Sequence, residues 1–304
     1  MMVMPAAGRH GLGWQLATTK RRTTDTRSIR GMDSMRLENN VAIVTGGGGG
    51  LGEGISACLA REGASVVVAD LNLDQAEAVA QKIRDLGANA LAHQADVTKL
   101  ADCERTIEAA IDTFGRLDTL VCNAGVDGLP VGEPEPPLLE NVLEDDWDLV
   151  MSVNVKGVFL SCRAAIPYFK KERRGRIINI SSVAGRQGVE FLPAYAASKA
   201  AVISLTQSLA LQLAPYHVNA NSICPGIIWT PMWERLATFM TRSNSAFNGL
   251  EPSAAFDAVV AQMIPFGKPQ TPEDIGATAV FLASEDAKEI TAQALNVCGG
   301  IRMN

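Results

Sequence analysis

A phenol and an ammonium four residues apart are the groups in this chain best suited to chemistry. Tyr195-Ala196-Ala197-Ser198-Lys199 stands at the start of a helical stretch, and an (i, i+4) spacing puts both side chains on one face. The ordinary pKa of tyrosine is near 10, so it is a poor base at neutral pH. A neighbouring ammonium favours the phenolate. With a second positive charge in a partly dry pocket, the phenol becomes a proton carrier near working pH. Lowering its pKa by about three units takes roughly 4 kcal/mol. Taken alone the pair is weak evidence, because a solvated helix pair has the same pattern.

The second candidate is a run of glycine. Thr45-Gly46-Gly47-Gly48-Gly49-Gly50-Leu51-Gly52 lies between an apolar strand and a helix. Glycine there lets the backbone turn sharply and approach a pyrophosphate, and the helix N-terminus offers free N–H groups and the positive end of its dipole. Asp70 ends the next strand and Leu71 follows it. A carboxylate in that place accepts hydrogen bonds from both adenosine ribose hydroxyls and repels a 2′-phosphate. No Lys or Arg lies in the glycine loop or just after Asp70. NAD is therefore the expected cofactor in preference to NADP, and its oxidised nicotinamide would be the second positive charge near Tyr195. The competing reading of Asp70 is a helix cap or turn residue.

These residues need a scaffold, and the chain alternates strands with helices. Strands are expected at 41–44, 66–69, 90–94, 117–122, 177–180, 218–223 and 294–297. Helices are expected at 51–62, 74–86, 100–114, 145–171, 194–213 and 272–284. This rhythm implies right-handed crossovers and an α/β, Rossmann-type, doubly wound seven-stranded parallel sheet. Hydrophobic residues make up 47% and aromatics 5%, so the core must be built from Val, Ile, Leu and Ala, which suit strands covered on both faces. Two stretches break the rhythm: 125–137, rich in Pro and Gly, and 229–268, which mixes aromatics with short helical runs. Both leave the carboxyl edge of the sheet, where open α/β sheets bind ligands. One domain, 36–304, is expected, with its substrate loop at about 227–268.

With those elements in place the chain resembles a short-chain dehydrogenase/reductase from about residue 36 to 302. Thr45, Gly46, Gly50 and Gly52 match the family's TGxxxGxG loop. Asp96-Val97 matches its adenine-contacting pair, and Asn123-Ala124-Gly125 its NAG element. Asn154 matches the helix asparagine, and Ser182 the serine thirteen positions before the tyrosine. Pro225-Gly226 with Ile228 and Thr230 matches the segment at the carboxamide end of the nicotinamide. The resemblance implies that Ser182 bonds the substrate oxygen, Tyr195 transfers the proton, and Lys199 lowers the pKa of Tyr195 and binds the nicotinamide ribose. It also implies that Asn154 holds a water linking Lys199 to solvent. Ser181 is a fallback for Ser182, expected to face the sheet. The implied reaction is an interconversion of secondary alcohol and ketone, in a homotetramer formed through the helices near 145–171 and 194–213. Four places depart from the family. Cys122 precedes Asn123, Asn219 stands where Arg is commoner, Thr291-Ala292-Gln293 replaces Thr-Gly-Gln, and Asn296-Val297-Cys298 replaces Val-Asp.

Other functions fit less well. The net charge of −6 and the lack of a basic stripe argue against nucleic acid. No uninterrupted apolar run reaches about 18 residues, so no membrane span is expected. The six cysteines are scattered without a CxxC pair, and the three histidines are unpatterned. No metal site is expected, and a reducing, cytoplasmic location is. Residues 1–35 are basic and hydroxyl-rich without period; they read as a disordered tail, a translated leader or an organelle-targeting segment. Two alternatives share the fold: an epimerase or dehydratase that keeps its NAD, and a dinucleotide-binding regulator. For the substrate, the segment 226–233 and the ending 295–297 resemble the polyol and sugar-alcohol branch, with Trp229 and Trp233 as candidate pocket walls. A β-ketoacyl or steroid-type alcohol is the other possibility.

Overall fold

Parallel strands with helices on both faces have no solvated side, and the strands here carry almost unbroken Val, Ile and Ala. The structure, a computed structural model, describes residues 35–129 and 138–303. The stretch 1–34, nearly all of the expected tail, and 130–137 of the expected Pro-rich loop lie outside the described residues.

The seven strands are β1 (Val41–Thr45), β2 (Ser65–Asp70), β3 (Ala90–Gln94), β4 (Thr119–Cys122), β5 (Gly175–Ile180), β6 (Val218–Pro225) and β7 (Ala294–Val297). They form one parallel sheet in the order β3-β2-β1-β4-β5-β6-β7. β1 pairs with β2 on one side and β4 on the other, so the order reverses there. The loops after β1 and β4 diverge at that reversal and open a crevice.

Helices α1 (Gly50–Arg61), α2 (Leu73–Asp85) and α9 (Pro272–Ala283) cover one face, where Val44, Val66, Val68 and Ile178 pack under Ile55, Leu59, Val79 and Ile275. On the other face, α3 (Leu100–Phe114), α5 (Gly157–Glu172) and α6 (Pro193–Leu213) bury Ile43, Val67, Leu120 and Ile177 under Ile107, Phe169, Val202 and Leu213. The segment 229–268, expected as a substrate loop with short helical runs, contains α7 (Pro231–Ser243) and α8 (Pro252–Met263). These two close over a small core of their own, with Ala237, Phe256, Val259, Val260 and Ile264.

The expected single helix at 145–171 is two. α4 (Glu144–Met151) leads into a π turn, Ser152–Lys156, before α5. The cause lies in tertiary contacts that periodicity does not reveal. Asn154 is pulled inward, and a Cβ at Gly157 would sit 2.7 Å from Val97 Cγ2. Single π turns of this kind cluster at functional sites. Over its full span, Glu144–Glu172 is long and apolar enough to cross a bilayer; it buries Val158, Leu160, Cys162, Ala165 and Phe169 in the sheet core instead. The fourth strand is shorter than expected. Asp118 lies before it, accepting from the Val41 N–H at 2.9 Å and pairing with Arg116 and Arg174.

Candidate active site

The crevice above the β1–β4 reversal is a cleft of about 1230 Å³. It is lined by the glycine loop, the ends of β2 and β4, the turn after β5, the start of α6, and α7. Its floor is set by close backbone approach. Gly46 has φ +61°, and a Cβ on it would lie 2.7 Å from Ala124 Cα; a Cβ on Gly52 would lie 2.1 Å from the Gly46 carbonyl oxygen. Any larger residue would push the first turn of α1 off the loop. Thr45 and Asn123 lock the β1 and β4 loops together. Asn123 Nδ2 donates to the Thr45 and Gly46 carbonyls at 3.0 and 2.9 Å, and Thr45 Oγ1 accepts from the Asn123 and Ala124 N–H groups.

Asp70 sits at one end. Its carboxylate accepts from the Gly48 N–H at 2.9 Å and the Asn72 N–H at 3.0 Å, so it is oriented by the loop that faces it. Asn72, not Asp70, caps α2. Leu71, Asp96 and Val97 line the same end of the cleft. Asp96 Oδ1 accepts from the Thr98 N–H and hydroxyl, and these bonds hold its carboxyl below the usual carboxylate range. Of the cations at this end, Lys82 is tied to Glu53 at 2.6 Å and Lys99 to Asp96 at 3.2 Å.

At the other end, Pro193 occupies the first turn of α6, and Leu192 before it is held at φ +62°, a left-handed conformation that is costly for leucine. This entry places Tyr195 in the first turn, on the cleft wall beside Ser182. Ser182 Oγ accepts from the Ala184 N–H at 3.1 Å. Its own hydrogen is thereby left for the Tyr195 phenol, a bond that favours the phenolate. A Cβ on Gly185 would lie 2.6 Å from the Lys199 carbonyl carbon, so the serine turn packs directly on the α6 backbone. Ser181, the fallback for Ser182, also lines the cleft. Its hydroxyl donates to the Lys199 carbonyl at 2.8 Å, toward α6 and not the expected sheet.

Lys199 is buried. Its Nζ donates to the Ile180 carbonyl at 2.9 Å and lies 5.5 Å from the centre of the Tyr195 ring. Burial dominates both groups. It raises the phenol to about 12, with the Asp127 charge adding to the rise and the Ser182 bond opposing it. It lowers the lysine to about 8. Lys199 alone does not offset this burial, and the sequence expectation of an acidified phenol included a second positive charge from the oxidised nicotinamide. The buried pocket resists ionisation, and a positive charge brought into the cleft would oppose it.

Asn154 is fully buried. Its Oδ1 accepts from the Val126 N–H at 2.8 Å, and its Nδ2 donates to the Val126 carbonyl and to Ser198 Oγ. Both amide hydrogens are spent on protein, and these bonds fix the loop after Gly125 against α6. A Cβ on Gly125 would meet Asn154 Oδ1 at 3.2 Å and Lys199 Nζ at 3.4 Å. Pro225, Gly226, Ile228 and Thr230 all line the cleft. Of the two tryptophans, Trp233 lines it; Trp229 is exposed and stacks edge-on against Phe256. Three residues escaped the sequence reading. Gln270 Oε1 accepts from the Ile227 N–H and braces Gly226. Asp127 is buried beside the site and pairs with Arg235 at 2.7 Å. None of the three carries a motif.

Residues 40–240 match the family described as short chain dehydrogenase. The chain belongs to the short-chain dehydrogenase family. It is 38% identical over 268 residues to a galactitol 2-dehydrogenase of Agrobacterium fabrum, covering 88% of this chain and 98% of that one. It is 35% identical over 264 residues to a diacetyl reductase, (S)-acetoin forming, of Staphylococcus epidermidis, covering 86% and 98%. The fold superposes on an NAD+-bound xylitol dehydrogenase with a TM-score of 0.80 at 29% identity, covering 87% of this chain and all of that one. As a short-chain dehydrogenase it is an oxidoreductase that interconverts a secondary alcohol and a ketone with a nicotinamide dinucleotide. The relatives bear the names of dehydrogenases and reductases, which disfavours the epimerase and regulator readings. The residues present suit the dinucleotide. The close-packed glycines leave room for a pyrophosphate, Asp70 faces the loop with its carboxylate fixed, and the buried Lys199 lies at the far end.

Proposed function

We propose that this chain oxidises a neutral, polyhydroxylated secondary alcohol with NAD+, and runs in reverse on the ketone. The observation that carries the reading is the convergence of Ser182, Tyr195 and Lys199 on one wall of the cleft whose other end holds Asp70. The dinucleotide supplies the hydride acceptor or donor. Ser182 hydrogen-bonds the substrate oxygen and steadies its charge. Tyr195 takes the proton from the alcohol, and Lys199 and the helix N-terminus stabilise the phenolate that does so. Asn154 holds the Val126 backbone and Ser198 so that Lys199 keeps its place. Gly46, Gly50, Leu51, Gly52, Leu71, Asp96, Val97, Asn123, Ala124, Gly125, Pro225, Gly226, Ile228 and Thr230 complete the cofactor contacts.

NAD in preference to NADP is supported by the Asp70 carboxylate and by Lys82 being engaged with Glu53. A polyol substrate is supported by the names of the galactitol and xylitol relatives. The catalytic domain is assigned to 36–304, with 1–35 as an appended tail. A homotetramer is favoured by apolar side chains left outward on α4, α5 and α6: Leu149, Phe159 and Leu211. Light scattering of the purified chain at a fourfold mass would support it. Six free cysteines suit a reducing, cytoplasmic compartment. The functional test is NAD+ reduction over a panel of polyols, secondary alcohols and hydroxy acids, with Tyr195→Phe as control. Turnover should vanish in the variant while NAD+ affinity stays near that of the native chain. A variant with near-native turnover would refute the mechanism.

A further inference from the structure

A buried carboxylate beside a reaction centre needs a reason, because burying one costs free energy unless hydrogen bonds and charge offset it. Asp127 is 7% exposed and lies two residues beyond Gly125, in the wall of the cleft that holds Ser182 and Tyr195. A carboxylate offers about four acceptor positions. Oδ1 accepts from the Leu129 N–H at 3.1 Å and Oδ2 from Arg235 at 2.7 Å, so among the described residues acceptor positions of this cleft-lining carboxylate stay open. Arg235 comes from α7, the helix over the substrate end, so the pair also ties the β4 loop to α7. The Asp127 charge is felt at the Tyr195 phenol, so the two share one electrostatic environment.

We propose that Asp127, oriented by Arg235, determines specificity by accepting a hydrogen bond from a second substrate hydroxyl, one that is not oxidised. The inference rests on the alcohol dehydrogenase reading given above. A neutral donor completes the shell of the carboxylate. An anionic substrate is repelled by it, and a mono-alcohol leaves it short of a partner.

The test compares kcat/KM for NAD+-linked oxidation of 2,3-butanediol, xylitol and galactitol with that of 2-butanol and 2-pentanol. It uses the full-length chain and the variants Asp127→Ala, Asp127→Asn and Arg235→Leu. The native chain should prefer at least one polyhydroxylated substrate. The ratio of that kcat/KM to the value for a mono-alcohol should fall roughly tenfold or more in Asp127→Ala, the scale of one lost hydrogen bond to a charge. Asp127→Asn, which keeps an acceptor and the side-chain size, should fall between, and Arg235→Leu should lower the ratio in the same direction. Each ratio is taken on one preparation, so a smaller folded fraction cancels, and Asp127→Asn decides the matter if the alanine variant does not fold. An unchanged ratio in Asp127→Ala or Asp127→Asn would overturn the proposal. A native chain that oxidises mono-alcohols but no diol or polyol would overturn it too, while leaving the dehydrogenase reading intact. Failure to reduce NAD+ with any of the five would overturn both.

Discussion

The phenol of Tyr195 should change its titration when NAD+ binds, and the size of the change follows from the site. Burial, the Asp127 charge and the Ser182 bond together hold it at about 12. Bringing it to neutrality takes roughly 7 kcal/mol, at about 1.4 kcal/mol per pH unit. The Lys199 ammonium lies 5.5 Å from the ring centre, and one unit charge at that distance is worth about 3 kcal/mol at an effective dielectric near 20. Roughly 4 kcal/mol remains for the bound cation. The free chain should therefore keep a neutral phenol well above pH 9, and the complex should ionise two to three pH units lower. The chain has three tyrosines, so ring-labelled tyrosine NMR gives a countable spectrum, with Tyr195→Phe assigning the resonance. Titrations of the free chain, the NAD+ complex and the complex of Lys199→Met separate the two sources. A free chain whose Tyr195 already ionises near pH 7, or a complex with no downward shift, would refute the reasoning.

Three further outcomes follow from the same structure. Lys199 titrates at about 8 when folded and near 10.5 when unfolded. The unfolded chain therefore binds the extra proton between those values, and the native protein gains stability as pH rises from 8 to 10.5. The stability of Lys199→Met relative to the native chain should decline across that window by up to roughly 3 kcal/mol; calorimetry of the cofactor-free proteins checks it, and a flat difference refutes it. Asp70→Asn removes the charge that repels a 2′-phosphate while keeping the size, so the NAD/NADP ratio of kcat/KM should fall roughly tenfold or more, read from initial rates with both cofactors. Ala292 is held at φ +61°, which costs roughly 1–2 kcal/mol for a residue with a Cβ, against about 0.5–1 for the extra freedom of glycine in the unfolded chain. Ala292→Gly should raise Tm by roughly 1–3 °C, measured by thermal melting.

What the sequence disclosed and what it withheld divide along a physical line. β3, α3 and β7 have the boundaries their patterns predict, because apolar periodicity and the turns beside them are local. The glycine loop was legible too, since strand, turn and helix follow one another in the chain. Asp127 and Arg235 stand 108 positions apart, and neither residue type nor neighbours distinguish them from surface charges; only the closing of α7 over the β4 loop makes them a pair. The π turn at Ser152–Lys156 was hidden for the same reason. Its cause is the bonding of Asn154 to Val126 and Ser198, 28 and 44 positions away, while the local sequence is ordinary helix. The protonation states were least legible of all. Spacing puts Tyr195 and Lys199 on one face, and the sequence already asks for a second positive charge, the oxidised nicotinamide, before the phenol becomes acidic. The burial that opposes ionisation comes from the surrounding elements of the fold, and spacing does not show it. A cation bound beside Tyr195 would favour its phenolate, so ionisation of the proton carrier should follow occupancy of the cleft.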